Sequence, residues 1–535
     1  MKFHIPANAG AHALNRHWQF SVGSGHALLA LRTDYTKQLK FIHDTLGIER
    51  VRFHGIFNDD MHTLTDFTDL MPIPGGERFQ ETNFHNAGIA YDNVLAAGMK
   101  PFVELGFMPE KLASGTEQLK FFYKGNITPP ADYSKWEQYI QSFIRYLQHR
   151  YGEEEIRTWY FEVWNEPDLQ GMFFGGTRDE YFELYAHTAR AIKAVDPEIK
   201  VGGPATSGSK WVQSFVEYCR ANDVPVDFVS THQYAGDPLG GVTDQGGPEE
   251  NPDAENAFSG GFEGFLAQIA KGMENAKGDR PLDAQRAIMA DKSEIDDIPN
   301  DGFAKNAKIV KEQAQGLPVY YTEWNENATF SAYTNDTRKA ASYLIKAALE
   351  TEQTIAGSSV WCFGDLFEEF HLFQEQFHGG FGLITVDGIP KPTYYALRFL
   401  HDVGDQRIDL GEDATKGEIG AAAFRGKGGT QLVLFRQKMK NLDLPKEAAE
   451  ITVELPHAPK AVTVQKIDEE NGNPLKVWEE MGKPYEMNKA EVEAVASQST
   501  VPETDLPHTY ENGVLTVKAE LGVNDVWLIK IAENA

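Results

Sequence analysis

Trp159-Tyr160-Phe161-Glu162-Val163-Trp164-Asn165-Glu166-Pro167 reads as an aromatic-rich strand that runs into a carboxylate and is cut off by a proline. Val319-Tyr320-Tyr321-Thr322-Glu323-Trp324-Asn325 repeats the pattern, with an apolar strand again ending in Glu. Around these two stretches, from residue 17 to about 400, short β-branched or aromatic runs alternate with longer segments of helical period, as in βα units of a parallel sheet. Eight strands are expected, at Trp18 to Val22, Arg50 to His54, Pro101 to Leu105, Thr158 to Trp164, Ile199 to Gly203, Val226 to His232, Leu317 to Glu323 and Ser358 to Phe363. Eight such units close an α/β fold of the (β/α)8 TIM-barrel type, whose chemistry sits at the C-terminal ends of the strands. Glu166 on strand four and Glu323 on strand seven then share one mouth.

The segments between strands carry helix signals. Thr177-Arg178-Asp179-Glu180 is a capping box, followed by apolar residues every three or four positions until Pro197 stops the run. Tyr35, Leu39, Ile42 and Leu46 form a similar stripe after the first strand, and Pro392 to Leu400 reads as the last barrel helix. Between strands six and seven the chain runs far beyond the ~30 residues of a βαβ unit. Residues 236–302 hold 15 acidic against 5 basic residues with many Gly and Pro, an insertion expected as an extended loop or small lobe over the catalytic face. The barrel is thus assigned to 17–400 with an acidic insertion at 236–302. Short strands with hairpin signals at Gly426-Lys427-Gly428-Gly429 and Asn512-Gly513 make 401–535 an accessory β-sandwich, which residues 1–16 are expected to join.

Composition removes several classes of function. With 50 Lys+Arg, 79 Asp+Glu and a net charge of −29, neither nucleic acid nor an anionic membrane is an expected partner. The two cysteines cannot form a disulfide framework or a four-thiolate zinc site. No apolar stretch is long enough to span a membrane, and the N-terminus lacks a secretory signal, so the expected location is the cytoplasm unless a signal has been removed. His371 and His378 are too isolated to suggest a metal site, and Gly23-Ser24-Gly25 lacks either nucleotide fingerprint and is expected as a tight turn at the rim. Neither a metal nor a cofactor is expected.

Two strand-end carboxylates in one barrel mouth suit glycoside hydrolysis with retention, in which one attacks the anomeric carbon while the other protonates the leaving oxygen. The charge of the first raises the second's pKa, so no metal is needed. Pro167 disfavours helical backbone at Glu166. Asn165 can donate to a sugar hydroxyl. His54 ends strand two, and His232 and Tyr234 end strand six, where convergent donors and acceptors would meet a sugar. Trp361 is read either as a platform for the apolar face of a pyranose or as packing. Glu369 is read either as a hydroxyl acceptor or as a solvated acid, with Glu368 competing for the role. Glu104 supports a neighbour or sits in a buried ion pair, and Phe381 walls the pocket or packs.

The chain resembles the retaining glycosidases of clan A and, more narrowly, glycoside hydrolase family 39. The resemblance rests on Phe20-Ser21-Val22-Gly23-Ser24-Gly25, Val51-Arg52-Phe53-His54-Gly55, the two Glu motifs and Phe367-Glu368-Glu369, in matching order from about Trp18 to Leu400. It implies that Glu166 is the acid/base, that Glu323 is the nucleophile, and that His54, Asn165, His232, Tyr234 and Glu369 contact the glycone. It further implies an exo-acting β-D-xylosidase that releases xylose from the non-reducing end of xylooligosaccharides or glycosides. The alternatives are another specificity in the same family (α-L-arabinosidase, β-galactosidase, β-glucosidase or α-L-iduronidase) or a carbohydrate-binding barrel without catalysis. The acidic insertion has no counterpart in the family pattern.

Overall fold

The computed structural model describes residues 1–235, 237, 270, 273, 274, 276–278, 280–289, 300–369, 372–426, 428–440 and 442–533. Eight parallel strands form a closed barrel in chain order: β1 (Ser21–His26), β2 (Arg50–His54), β3 (Lys100–Leu105), β4 (Tyr160–Val163), β5 (Lys200–Thr206), β6 (Phe228–Tyr234), β7 (Val319–Asn325) and β8 (Gly357–Val360). Helices cover the outside. Thr33–Leu46 buries Tyr35, Leu39, Ile42 and Leu46, and Arg178–Val195 starts with both reciprocal hydrogen bonds of the Thr177/Glu180 capping box. The last barrel helix is Pro392–Asp402.

Two strand boundaries differ from the sequence reading in ways that matter. Trp18 lies in a short helical turn, His17–Gln19, and β1 begins only at Ser21, so Gly23-Ser24-Gly25 is strand and not a rim turn. The reason is a close approach: a Cβ on Gly23 would stand 2.3 Å from Cε3 of Trp361, which leaves β8 beside it. β4 stops at Val163, so Glu166 belongs to the loop beyond the strand.

The N-terminal end of the barrel is plugged by Phe102, Phe228 and Tyr320, with Phe20 and Tyr160 packed against them. The Arg50 guanidinium lies 4.5 Å from the centre of the Phe20 ring. Above this apolar floor the inward positions turn polar, which concentrates charge at the other end.

Two further sheets pack beside the barrel. One orders Lys2–Ile5, Glu447–Glu454, Val514–Leu521 and His508–Glu511. The other has seven strands, running from Thr504–Asp505 through Ala461–Ile467, Val526–Ala532, Gly429–Arg436, Ile419–Gly426 and Gln406–Ile408 to Ala11–Ala13. Along the seven-stranded sheet, side chains alternate between two cores. Ala421, Ala423, Leu432 and Leu434 join the inter-sheet core, whereas Ala422, Phe424, Val433 and Phe435 join the barrel's. The Asn512-Gly513 hairpin turn has both residues at positive φ, 53° and 81°.

Most of the acidic stretch 236–302 lies outside the described residues, and with it the expectation of a loop or small lobe. Within the described part, helix Pro281–Met289 sends Arg286 to Glu375 at 2.9 Å. It buries Leu282 in an aromatic cluster with Tyr234, Trp361, Phe367 and Phe381. No described helix is long and apolar enough to cross a membrane.

Candidate active site

The side chains that stand above the aromatic floor are tied together by one guanidinium. Arg52, fully buried on β2, donates Nε to Glu162 Oε2 at 2.6 Å, Nη1 to Glu323 Oε1 at 2.8 Å and Nη2 to Asn165 Oδ1 at 2.8 Å. Its Nη2 also lies 2.9 Å from Glu104 Oε2. Strands β2, β3, β4 and β7 are thus held to one fork of donors, a geometry Lys could not supply.

Glu323 reaches this fork because β7 is irregular. Strict alternation would send Thr322 and Glu323 to opposite faces, yet the register shifts on both neighbours, between Thr231 and His232 on β6 and between Tyr321 and Trp324 on β7 itself. Thr322 accordingly donates to Glu162 at 2.7 Å while Glu323 bonds to Arg52. A bulge beside an active site commonly re-aims a side chain in this way. The second oxygen of Glu323 accepts from the Tyr234 hydroxyl at 2.9 Å, so a cation and a phenol face this carboxylate.

Glu166 stands differently. Its φ is +42°, a left-handed value held by the hydrogen bond that its N–H donates to Ala205 O (2.8 Å) at the end of β5. Pro167 bars the right-handed helical alternative. Its Oε1 lies 2.9 Å from His232 Nδ1. Burial, reinforced by the charges of Asp168 and Asp237, pushes the Glu166 carboxyl well above the usual carboxylate range, while Arg52 and Lys210 act in the opposite sense. Burial also lowers His232 to about 4, so the imidazole beside Glu166 is neutral and adds no positive charge to ionise it.

Glu166, Glu323 and His232 converge: one ligand atom from each lies within 4.8 Å of the others. Two carboxyl groups at ~5 to 5.5 Å are the spacing of a retaining pair, and ~6.5 to 9.5 Å that of an inverting one. The same three side chains could hold a cation, but Glu323 already accepts from Arg52 and Tyr234 on both of its oxygens.

The remaining sequence candidates surround this pair. His54 Nδ1 contacts Glu104 Oε2 at 2.6 Å and its Nε2 faces Glu323 Oε1 at 3.6 Å. Burial lowers His54 to about 3 and raises Glu104 to about 8, so the proton of this pair stays on the carboxyl side. Glu104 therefore supports His54 and stands beside Arg52, but as a protonated carboxyl it is not a charged partner in an ion pair. Trp361 packs against His54 with ring centres 4.8 Å apart. Burial and the charges of Glu323 and Glu166 raise Glu369 well above its ordinary value. Glu368 instead approaches His26 at 3.7 Å. Phe381 is buried against Phe330 and Phe367. Asn165 Nδ2 and His232 Nε2 are buried without a partner among the described residues.

Sequence reasoning gave no role to Arg52 or Glu162. A signal was present: each is a charge inside a strand two residues from an inward-facing neighbour, Arg52 before His54 and Glu162 after Tyr160.

Comparison with known proteins places the chain in a family. The model of the family described as "Glycosyl hydrolases family 39" matches residues 1–251 and 285–514, and the interruption falls inside the acidic stretch. A beta-xylosidase from Caldicellulosiruptor saccharolyticus is 37% identical over 487 residues, 91% of this chain and 89% of that protein. A beta-xylosidase from Geobacillus stearothermophilus is 31% identical over 531 residues, 99% of this chain and 95% of that one. The crystal structure of a monomeric beta-xylosidase from Caulobacter crescentus CB15 superimposes with a TM-score of 0.78 at 27% identity, covering 100% of both chains.

Proposed function

The chain belongs to glycosyl hydrolases family 39, and from that premise we propose that it is a retaining, exo-acting β-D-xylosidase with Glu323 as nucleophile and Glu166 as acid/base. The observation that carries the mechanism is the convergence of these two carboxyl groups within 4.8 Å in unlike surroundings. The choice of xylose is supported by relatives that are beta-xylosidases along most of their length.

In the first step a carboxylate oxygen of Glu323 attacks the anomeric carbon as the glycosidic bond breaks, and the Glu166 proton passes to the departing oxygen. Arg52 and Tyr234 hold the attacking group in position, and the neutral His232 leaves the Glu166 proton in place. In the second step Glu166, now ionised, takes a proton from water, whose oxygen displaces Glu323 and restores the starting configuration. His54, Asn165, His232, Tyr234 and Glu369 are the proposed hydroxyl contacts, with Trp361 under the ring. The unpartnered Asn165 Nδ2 and His232 Nε2 are suited to this work. Arg52 and Lys210, the cations that act on Glu166, are already paired with carboxylates, which favours a neutral glycone over a uronate.

The test is turnover of a panel of nitrophenyl glycosides, with β-xyloside hydrolysed best and the first product released as the β-anomer. Glu323→Ala should abolish turnover, and azide should rescue it as the α-xylosyl azide. Glu166→Ala should still release a good leaving group in the first step and fail on a poor one. Unchanged hydrolysis by Glu323→Ala would remove the nucleophile assignment, and equal losses on both leaving groups would point to another proton donor.

A further inference from the structure

After β3 the chain makes a long excursion before the helix Tyr133–Tyr151 begins. It is stitched to itself by isolated bridges, Met108 to Asn126, Ala113 to Pro130 and Gln118 to Asn126. Its tip, Phe121-Phe122-Tyr123, lies over the mouth. The Phe121 ring is 5.3 Å from Phe173, which in turn is 6.2 Å from His54. The Phe122 amide donates to the Glu369 carbonyl at 2.6 Å, so the loop after β3 is tied to the loop after β8 across the ends of β1 and β2. The Tyr123 ring lies flat on His26, centres 4.3 Å apart and planes 10° from parallel. His26 is the register partner of His54.

Tyr123 is 4% exposed and its hydroxyl has no hydrogen-bond partner among the described residues. A buried donor left unmade costs free energy, so one beside a binding pocket calls for a partner such as a bound molecule. Tyr91, Tyr146 and Tyr343 share the deficit, but they sit on outer helices, whereas Tyr123 stacks on His26 at the end of β1, near enough for the charges of Glu369, Glu104 and Glu323 to act on its phenol. Burial and the nearby Glu369, Glu104, Glu323 and Asp60 keep the phenol protonated, hence a donor. The sequence reading passed over Tyr123 because no strand or helix period marks it.

We propose that Tyr123 is a substrate-binding residue whose hydroxyl donates to a ring hydroxyl of the non-reducing-end sugar. The tie between Phe122 and Glu369 walls off the side of the mouth away from β4 to β7, so the pocket receives one neutral pyranose unit and not an extended chain. The inference rests on the glycosidase reading above and names a contact within that site.

The experiment compares wild type and Tyr123→Phe on nitrophenyl β-xylopyranoside and on its 2-, 3- and 4-deoxy analogues. The substitution keeps the ring on His26, so the melting temperature should not move. On the parent glycoside kcat/KM should fall about tenfold, the size of one lost hydrogen bond. On one deoxy analogue the two proteins should be equal, because the hydroxyl that Tyr123 meets is already missing. The ratio of parent to deoxy analogue, taken within each protein preparation, does not depend on the folded fraction and should be about tenfold smaller in the variant for that one analogue alone. A variant indistinguishable from wild type on the parent would overturn the inference, as would the same loss on all three analogues, which would mark Tyr123 as a mere support. Failure of wild type on every β-xyloside would instead strike the glycosidase reading and take the inference with it.

Discussion

Glu166 and Glu323 are the same chemical group made unlike by what faces them. Glu323 meets a guanidinium and a phenol. Glu166 meets a neutral imidazole and, at longer range, Asp168 and Asp237. Asp168 is held by the Ser207 amide at 2.8 Å and pairs with Lys210 at 3.0 Å. Asp168→Asn removes a negative charge that raises Glu166 and releases a cation that lowers it, and both changes act in one direction. As a proton donor Glu166 fails when pH rises through its pKa, so the alkaline limb of kcat/KM should move to lower pH. The shift should disappear with a dinitrophenyl leaving group, which departs without a proton. A limb that stays put or moves upward would remove Asp168 from the control of Glu166. At this scale the sequence was most legible where a polar residue closes an apolar strand, as at His54, Asn165, His232 and Glu323. It was least legible at Arg52, whose partners come from three other strands.

Strands β1 and β8 show what is lost between residue and element. Gly23-Ser24-Gly25 looks like a turn because glycine weakens strands, and only the neighbouring element explains the exception. Trp361 leaves β8 so close to β1 that a side chain at position 23 would strike it. Gly23→Ala should therefore cost about 1–3 kcal/mol of stability by overpacking. It should also raise KM for the xyloside severalfold, because the displaced ring is the proposed platform under the sugar. Gly25→Ala is the contrast, since its Cβ would meet the terminal Cδ1 of Leu29 at 2.9 Å, a side chain able to rotate away. Thermal melts and KM for the two variants decide the matter, and equal behaviour would mean that Trp361 is not held by Gly23. The bulge in β7 is equally invisible from the chain itself, because alternation read from Tyr320 and Thr322 sends Glu323 outward. The eight-unit rhythm survived such local errors, since closure depends on the number and order of strands and not on their end points.

At the scale of the molecule, the continuous apolar runs Ala421-Ala422-Ala423-Phe424 and Leu432-Val433-Leu434-Phe435 record a sheet covered on both faces, one by the second sheet and one by the barrel helices. The same deep burial governs how the whole fold answers pH. His17, His54 and His232 are buried and lowered to about 4, 3 and 4, so the unfolded chain takes up protons that the native state refuses. Their contribution is fully present above the unfolded value of ~6.5 and is lost as pH falls through about 4. Glu104 acts with the opposite sign: raised to about 8, it stabilises fully below ~4.5 and loses that contribution as pH rises through about 8. Glu166 and Glu369, both raised by burial, work in the same sense as Glu104. Between ~4.5 and ~6.5 the three histidines and the three acids oppose one another one for one, above ~6.5 only the acids act and below ~4.5 only the histidines, so the melting temperature should be level across that window and fall on both sides of it. Two variants separate the limbs. Among the described residues the His17 ring bonds to Ser358 Oγ, Ala348 O and Thr351 Oγ1, remote from the carboxyl pair, so His17→Gln should flatten the acid limb and leave turnover unchanged. Glu104→Gln should flatten the alkaline limb and also impair turnover, because His54 loses its support. A melting temperature that keeps rising from pH 6.5 to 9 would show that these acids are not protonated in the native state.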